Sequence, residues 1–177
     1  MTPTETRVSV LEVGHRVLTD YLSKSSIKVI EFDPKYAAGA LDIAREIHAH
    51  SLYANMPLDE EKVMRQLSAA GGSLVPERYF RLAVRGGEVL GGFYGAVSKT
   101  FFCDDLLARD MGWWVKPTAR GGAAAVLLLL DFERWARAAG ARKCMVGQSG
   151  VENIERTKRL YEHCGFTLTG YNTAKEL

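Results

Sequence analysis

The sequence predicts an α/β fold, a sheet flanked by helices, and three observations carry that prediction. Runs with strand-like alternation and runs with a helical period follow one another as strand, two helices, three strands, helix, strand, helix, strand. A glycine pair, Gly86-Gly87, separates two β-rich runs and suits a hairpin turn with positive φ. The helix that follows residue 120 is apolar on nearly every side in its first half, so protein must cover it from both sides. A chain of 177 residues is long enough for a single domain with a sizeable core.

Taken in order, residues 1–26 read as an N-terminal extension, with Val17, Leu18, Tyr21 and Leu22 at helical spacing before a serine-rich break. Residues 27–177 read as the domain. "IKVIEF" alternates as a strand, Asp33-Pro34 starts a helix, and Ala40, Ile43, Ala44 and Ile47 keep a helical period. After "SLYANMPL", a loop placed to border a site, Asp59 caps a second helix carrying Val63, Met64 and Leu67 and ended by Gly71-Gly72. The hairpin "RYFRLAVRGGEVLGGFYGAVS" comes next. The fourth strand, residues 109–116, holds Gly112, which marks a bulge or a close approach to the backbone. Trp113 and Trp114 adjoin on it and must face opposite sides. The oily helix runs from about residue 121 to Gly140, with residues 127–130 and Trp135 as packing. "RKCMVG" reads as a buried strand, "NIERTKRLYEHC" as an amphipathic helix stopped by Gly165, and "FTLTGY" as a final strand.

Hydrophobic residues at 47% and charged residues at 25% lie near the globular average, which excludes disordered and fibrous classes. A net charge of +2, with basic and acidic residues intermixed, provides no stripe to neutralise a phosphate backbone, so nucleic acid is not an expected partner. Cys103, Cys144 and Cys164 are odd in number and lack metal-ligand spacing, so we expect free thiols and no metal. The longest oily run, residues 123–130, is too short to span a membrane. With no secretory pattern near the start, the expected location is the cytoplasm.

The stretch from Pro117 into the helix would leave several backbone N–H groups unpaired at the helix mouth. Gly121 and Gly122 do not obstruct an anion there, and Arg120 supplies a full charge. The spacing is neither a dinucleotide fingerprint nor a P-loop. By itself the stretch reads equally well as an anion site or as a plain strand-to-helix turn.

"VKPTARGGAAAVLLL" followed by "NIERTKRLYEHCGF" resembles the GNAT superfamily of acyl-CoA-dependent N-acyltransferases. In that family a strand ending in V-x-P-x-x-R leads to a [QR]-x-x-G-x-[GA] turn that binds the coenzyme A pyrophosphate. Val115, Pro117 and Arg120 match, and Ala125 is the permitted sixth residue. Ala123 replaces the glycine at the fourth position, which narrows the space for the pyrophosphate beside Gly122. Asn153 matches the asparagine before the last helix, and Leu160, Tyr161, Gly165 and Phe166 match an L-Y-x-x-x-G-F ending. The order of elements from residue 27 to 171 agrees as well.

The resemblance implies a mixed, mostly antiparallel twisted sheet whose fourth and fifth strands splay apart to admit the pantetheine arm. It implies acetyl-CoA as co-substrate, held by Trp114, Val115, Arg120, Gly121, Gly122, Ala123, Ala124, Ala125 and Asn153, with no metal. The acceptor is a small-molecule or peptide amine, and a homodimer is compatible with the family. The amine attacks the thioester in a ternary complex, a backbone N–H of the fourth strand receives the oxyanion, and Tyr161 gives a proton to the departing thiolate. Asp110, the only carboxylate in the fourth strand, stands as general base beside the alternative of a solvated surface acid. His50, Glu60, Asp104 and Asp105 are read as solvated loop residues, and His163 as exposed. The rival reading is a non-catalytic coenzyme A binding or sensing protein, against which the retained Tyr161 argues. A nucleotide-phosphate module is disfavoured by the missing P-loop lysine.

Overall fold

The computed structural model describes residues 25–71, 77–147 and 154–170, together with 173 and 175. The helical spacing at residues 17–22, Gly72 and Asn153 therefore lie outside the described residues. Strand β1 spans Lys28–Glu31. The Asp33 carboxylate accepts from the Lys35 backbone N–H at 3.0 Å and starts a 3-10 turn, Pro34–Tyr36, that runs directly into helix α1, Ala37–Ala49. Asp59 does the same for α2, Glu60–Gly71, accepting from the Lys62 N–H at 2.9 Å. Strands β2 (Arg78–Arg85) and β3 (Glu88–Lys99) meet at Gly86 and Gly87, whose φ values of 56° and 87° are what a two-residue hairpin turn demands.

Strand β4 runs from Leu106 to Val115, three residues longer at its start than the sequence pattern indicates. A 3-10 turn, Pro117–Ala119, leads towards α3, Ala124–Ala138, so Gly121 and Gly122 lie in the turn and not in the helix. Gly140, at φ 78°, ends that helix. Strand β5 covers Ala141–Met145 and helix α4 covers Ile154–His163.

The strands order as β1-β2-β3-β4-β5, with the first four antiparallel and β5 parallel to β4, as an intervening helix requires. The fold is thus the mixed, mostly antiparallel sheet flanked by helices. One core lies where Tyr79, Phe93, Leu128 and Phe132 meet, between sheet and α3, and α4 lends Leu160 and Tyr161 to its margin. The second lies on the opposite face, where Ile43, Leu67, Phe80 and Leu82 bind α1 and α2 to the sheet.

Two sequence expectations are corrected. β5 is not buried: Arg142, Lys143 and Met145 are exposed, because it is an edge strand that pairs over a short ladder on one side only among the described residues. Residues 166–170 form no strand. Phe166 is drawn to the core and the next four residues are exposed without a ladder, so the alternation in "FTLTG" leaves the free edge of β5 unpaired by these residues.

The close approach of α3 to the sheet depends on Gly95, where an added Cβ would fall 2.5 Å from Phe132 Cε2 and 3.1 Å from the Arg109 carbonyl oxygen. Gly95→Ala should therefore cost about 1 to 3 kcal/mol through overpacking, read as a lower midpoint of thermal unfolding. An unchanged midpoint would mean that the Phe132 ring withdraws freely.

Candidate active site

The site begins where β4 and β5 part. Their ladder closes with Arg109 opposite Met145, and residues 110–115 of β4 continue without a strand partner on that side among the described residues. Opposite β3, Gly95 pairs with Asp110 while Tyr94 pairs with Gly112, so Met111 is an extra residue and β4 bulges there. The bulge has a directional consequence. Residues three apart on a regular strand face opposite sides, but the inserted residue restores the phase. Asp110 and Trp113 thus share the α3 face, to which Ala108 and Val115 also contribute. Gly112 marks the bulge, as the sequence anticipates, and an added Cβ there would face Ile47 of α1.

Three residues converge at the parting. The Asp110 carboxylate accepts from the Gly147 N–H at 3.1 Å, and the Gly147 carbonyl accepts from the Tyr161 hydroxyl at 2.7 Å. Trp113 Nε1 donates to that hydroxyl at 3.2 Å. The backbone of one residue, Gly147, therefore joins the expected base and the expected acid. Burial is the main force on Asp110, and it overcomes hydrogen bonds from Gly147 and its own backbone to push the carboxyl up to about 6. Asp110 is consequently no solvated surface acid. Burial also pushes the Tyr161 hydroxyl well above its ordinary value, opposed by the Trp113 bond and aided by the Asp110 charge.

Trp114 turns to the other face, as adjacency on a strand requires, and its ring stacks on His50 at 4.9 Å. His50 is thereby more than a solvated loop residue. The Arg120 guanidinium covers the same indole at 4.4 Å, and Arg120 Nε donates to the Val115 carbonyl at 3.2 Å. Arg120 therefore folds back over the end of β4 instead of projecting from the helix mouth. Val115 has a buried side chain, so only its backbone is available to a ligand.

The mouth of α3 has the open character that the sequence implies. Its N-cap position is Ala123, which offers no side-chain acceptor, and the Leu127 N–H closes the first turn on the Ala123 carbonyl at 2.9 Å. The N–H groups of Ala124 and Ala125 have no backbone acceptor among the described residues. Ala123 sits at φ −72°, ψ −15°, which needs no glycine; the left-handed position is Gly121, at φ 85°. Beside Gly121 stands a cation that the motif does not mark: Arg156 Nη2 lies 2.8 Å from where a Gly121 Cβ would be. No spacing rule links residue 156 to residue 121, and only the docking of α4 brings them together.

Other candidates take structural parts. Glu60 forms a two-point ion pair with Arg45 at 2.8 and 2.9 Å, Asp104 pairs with Lys99 and Asp105 with Arg142. His163 is exposed, and all three cysteines are free thiols. Among the described residues no helix is long and apolar enough to cross a membrane.

No family model matches the chain, and no curated protein matches it by sequence. Solved structures match it by shape. A glucosamine-6-phosphate N-acetyltransferase from Arabidopsis thaliana superposes with a TM-score of 0.66 at 16% identity, over 85% of this chain and 97% of its own. The aminoglycoside acetyltransferase AAC(6')-Iy, bound to a bisubstrate analogue of coenzyme A, gives 0.67 at 13% identity, over 86% and 99%. A transcriptional regulator from Bacillus halodurans gives 0.65 at 14%, over 85% and 99%. The chain has the fold of the GNAT acetyltransferases. Since that fold also serves a protein of another description, function has to be argued from the site.

Proposed function

We propose that the protein is an N-acetyltransferase that moves an acetyl group from acetyl-CoA to a primary amine by direct attack in a ternary complex. The observation that carries the reading is the junction of Asp110, Gly147 and Tyr161 at the parting of β4 and β5. A carboxyl near about 6 is ionised at neutral pH yet basic enough to take a proton from an amine as it attacks. Tyr161 keeps its proton throughout the physiological range and turns its hydroxyl from Gly147 towards the departing sulfur. The backbone of β4 beyond Arg109, free of a β5 partner, supplies N–H donors for charge developing on the carbonyl oxygen. Trp114 and Val115 border this track, and residues 120–125 receive the pyrophosphate; the family resemblance adds Asn153, which lies outside the described residues. Arg120 organises the turn from behind while Arg156 brings charge to its front. Residues 27–177 form the catalytic unit, residues 1–26 extend it, and the cytoplasm is its place of action.

Acetyl-CoA at about 100 times its Kd should stabilise the protein by about 2.7 kcal/mol, with heat detected by titration calorimetry. Gly121→Val should weaken that binding at least about tenfold, because a β-branched residue resists a left-handed φ and its side chain would meet Arg156. No heat and no thermal protection with the parent protein would overturn the reading.

A further inference from the structure

We infer that Trp113 is a positioning residue of the acetyl transfer, its indole N–H setting the direction of the Tyr161 hydroxyl and holding the phenolate oxygen that proton delivery leaves behind. The inference rests on the acetyl-transfer reading and adds to it a residue that no motif marks. The bulge of β4 at Met111 brings Trp113 onto the face that carries Asp110. There the indole stacks on Phe93 at 5.8 Å with the ring planes 23° apart, and Phe93, fully buried, stacks on Phe132 at 4.4 Å. The ring is thus held from the core side, while its Nε1 reaches the Tyr161 hydroxyl at 3.2 Å. A phenylalanine ring would keep the stack, so packing alone does not call for an indole at this position.

The polarity of that bond is fixed, because an indole nitrogen donates and never accepts. The hydroxyl must receive Trp113 on a lone pair and send its single hydrogen elsewhere, at rest to the Gly147 carbonyl at 2.7 Å. During transfer the amine attacks the thioester carbonyl and loses a proton to Asp110. The carbon–sulfur bond breaks, its electron pair stays on sulfur, and the Tyr161 hydrogen joins that sulfur. Asp110 is left protonated and Tyr161 ionised, and return of one proton to the phenolate by way of solvent resets the pair. The phenolate has lost its bond to the Gly147 carbonyl, and burial disfavours its charge. Among the described residues the Trp113 N–H is the one donor to its oxygen. A hydrogen bond to an ionised acceptor is roughly twice as strong as one to a neutral acceptor. The N–H therefore strengthens its hold as charge develops, which lowers the barrier without tightening the binding of either substrate.

The test is thiol release from acetyl-CoA by the full chain, with whichever of 2-phenylethylamine, spermidine, neamine, glucosamine 6-phosphate and a lysine-containing peptide gives the parent its highest kcat/KM. Trp113→Phe keeps the stack on Phe93 and removes the N–H. It should lower kcat about five- to tenfold and leave both KM values within about twofold. In a Tyr161→Phe background the same substitution should lower kcat by less than about twofold, since an effect exerted through the hydroxyl vanishes with it. Placing 3-benzothienylalanine at position 113 keeps the outline of the indole and exchanges its N–H for sulfur. It should reproduce the loss seen with Trp113→Phe, and it keeps the test decisive where the smaller ring leaves a void that unfolds the chain. Parent-like kcat with the benzothienyl ring, an equal loss in both backgrounds, or a loss confined to KM would overturn the inference and leave acetyl transfer standing. Thiol release with none of the amines would overturn acetyl transfer itself, and this inference with it.

Discussion

Tyr161→Phe should lower kcat by a factor of about 10² to 10⁴, the range expected for loss of a general acid. Acetyl-CoA affinity should stay within a few-fold, because the ring that packs by Trp113 and Phe166 is retained. The hydroxyl also has a structural part, accepting from Trp113 Nε1 and donating to the Gly147 carbonyl. Its removal strands both partners and should cost about 1 to 3 kcal/mol of stability. Kinetics distinguish the two roles. A residue that only braces the parting would change stability while turnover below the melting range stayed within a few-fold. A residue that donates to the leaving sulfur lowers kcat and kcat/KM together. Parent-like turnover in the variant would remove Tyr161 from the chemistry. A parent protein that bound coenzyme A yet released thiol with no amine would leave the coenzyme A sensor as the better account.

Most of the architecture is legible because it follows from local rules. Gly86-Gly87 names its own turn, Asp33 and Asp59 name their helix starts, and the oily run from residue 123 names a helix, although α3 buries one face, with Leu128, Leu129 and Phe132, and leaves Val126, Leu127 and Leu130 half-buried. The failures arise where context outweighs pattern. "RKCMVG" has the composition of a buried strand but lies at the edge, and "FTLTG" alternates yet forms no ladder. At the site, Tyr161 and the glycine turn are visible as motifs because close packing and a left-handed φ restrict which residue types fit. Arg156 beside Gly121 and His50 on Trp114 are invisible because both pairings arise from how helices dock on the sheet. The motif marks Arg120 by position and is silent on where its guanidinium goes, which is over the Trp114 ring.

Asp110→Asn should lower kcat/KM by about 10² to 10⁴ at neutral pH and make the protein more stable there. The two effects share one cause. The carboxyl titrates near about 6 when folded, against an ordinary value of 3.8. Between those values the folded protein holds a proton that the unfolded chain has released. Stability therefore falls as pH rises from about 4 to about 6, and the cost persists in full above that window. The interval corresponds to on the order of 2 to 3 kcal/mol. Asparagine carries no charge to bury and keeps an oxygen for the Gly147 N–H, so the variant should unfold at higher temperature than the parent at pH 7 and at a similar temperature at pH 4. The rate follows the same ionisation with opposite benefit. In the parent, kcat/KM should climb with pH through about 6 as Asp110 becomes a base, and in the variant that limb should flatten. A variant less stable than the parent at pH 7 would show that the carboxylate is stabilised by its surroundings and is not under strain from burial. A variant that retained the acid limb would assign the base to another group. Gain of stability together with loss of the limb is what a carboxylate held out of water for catalysis must produce.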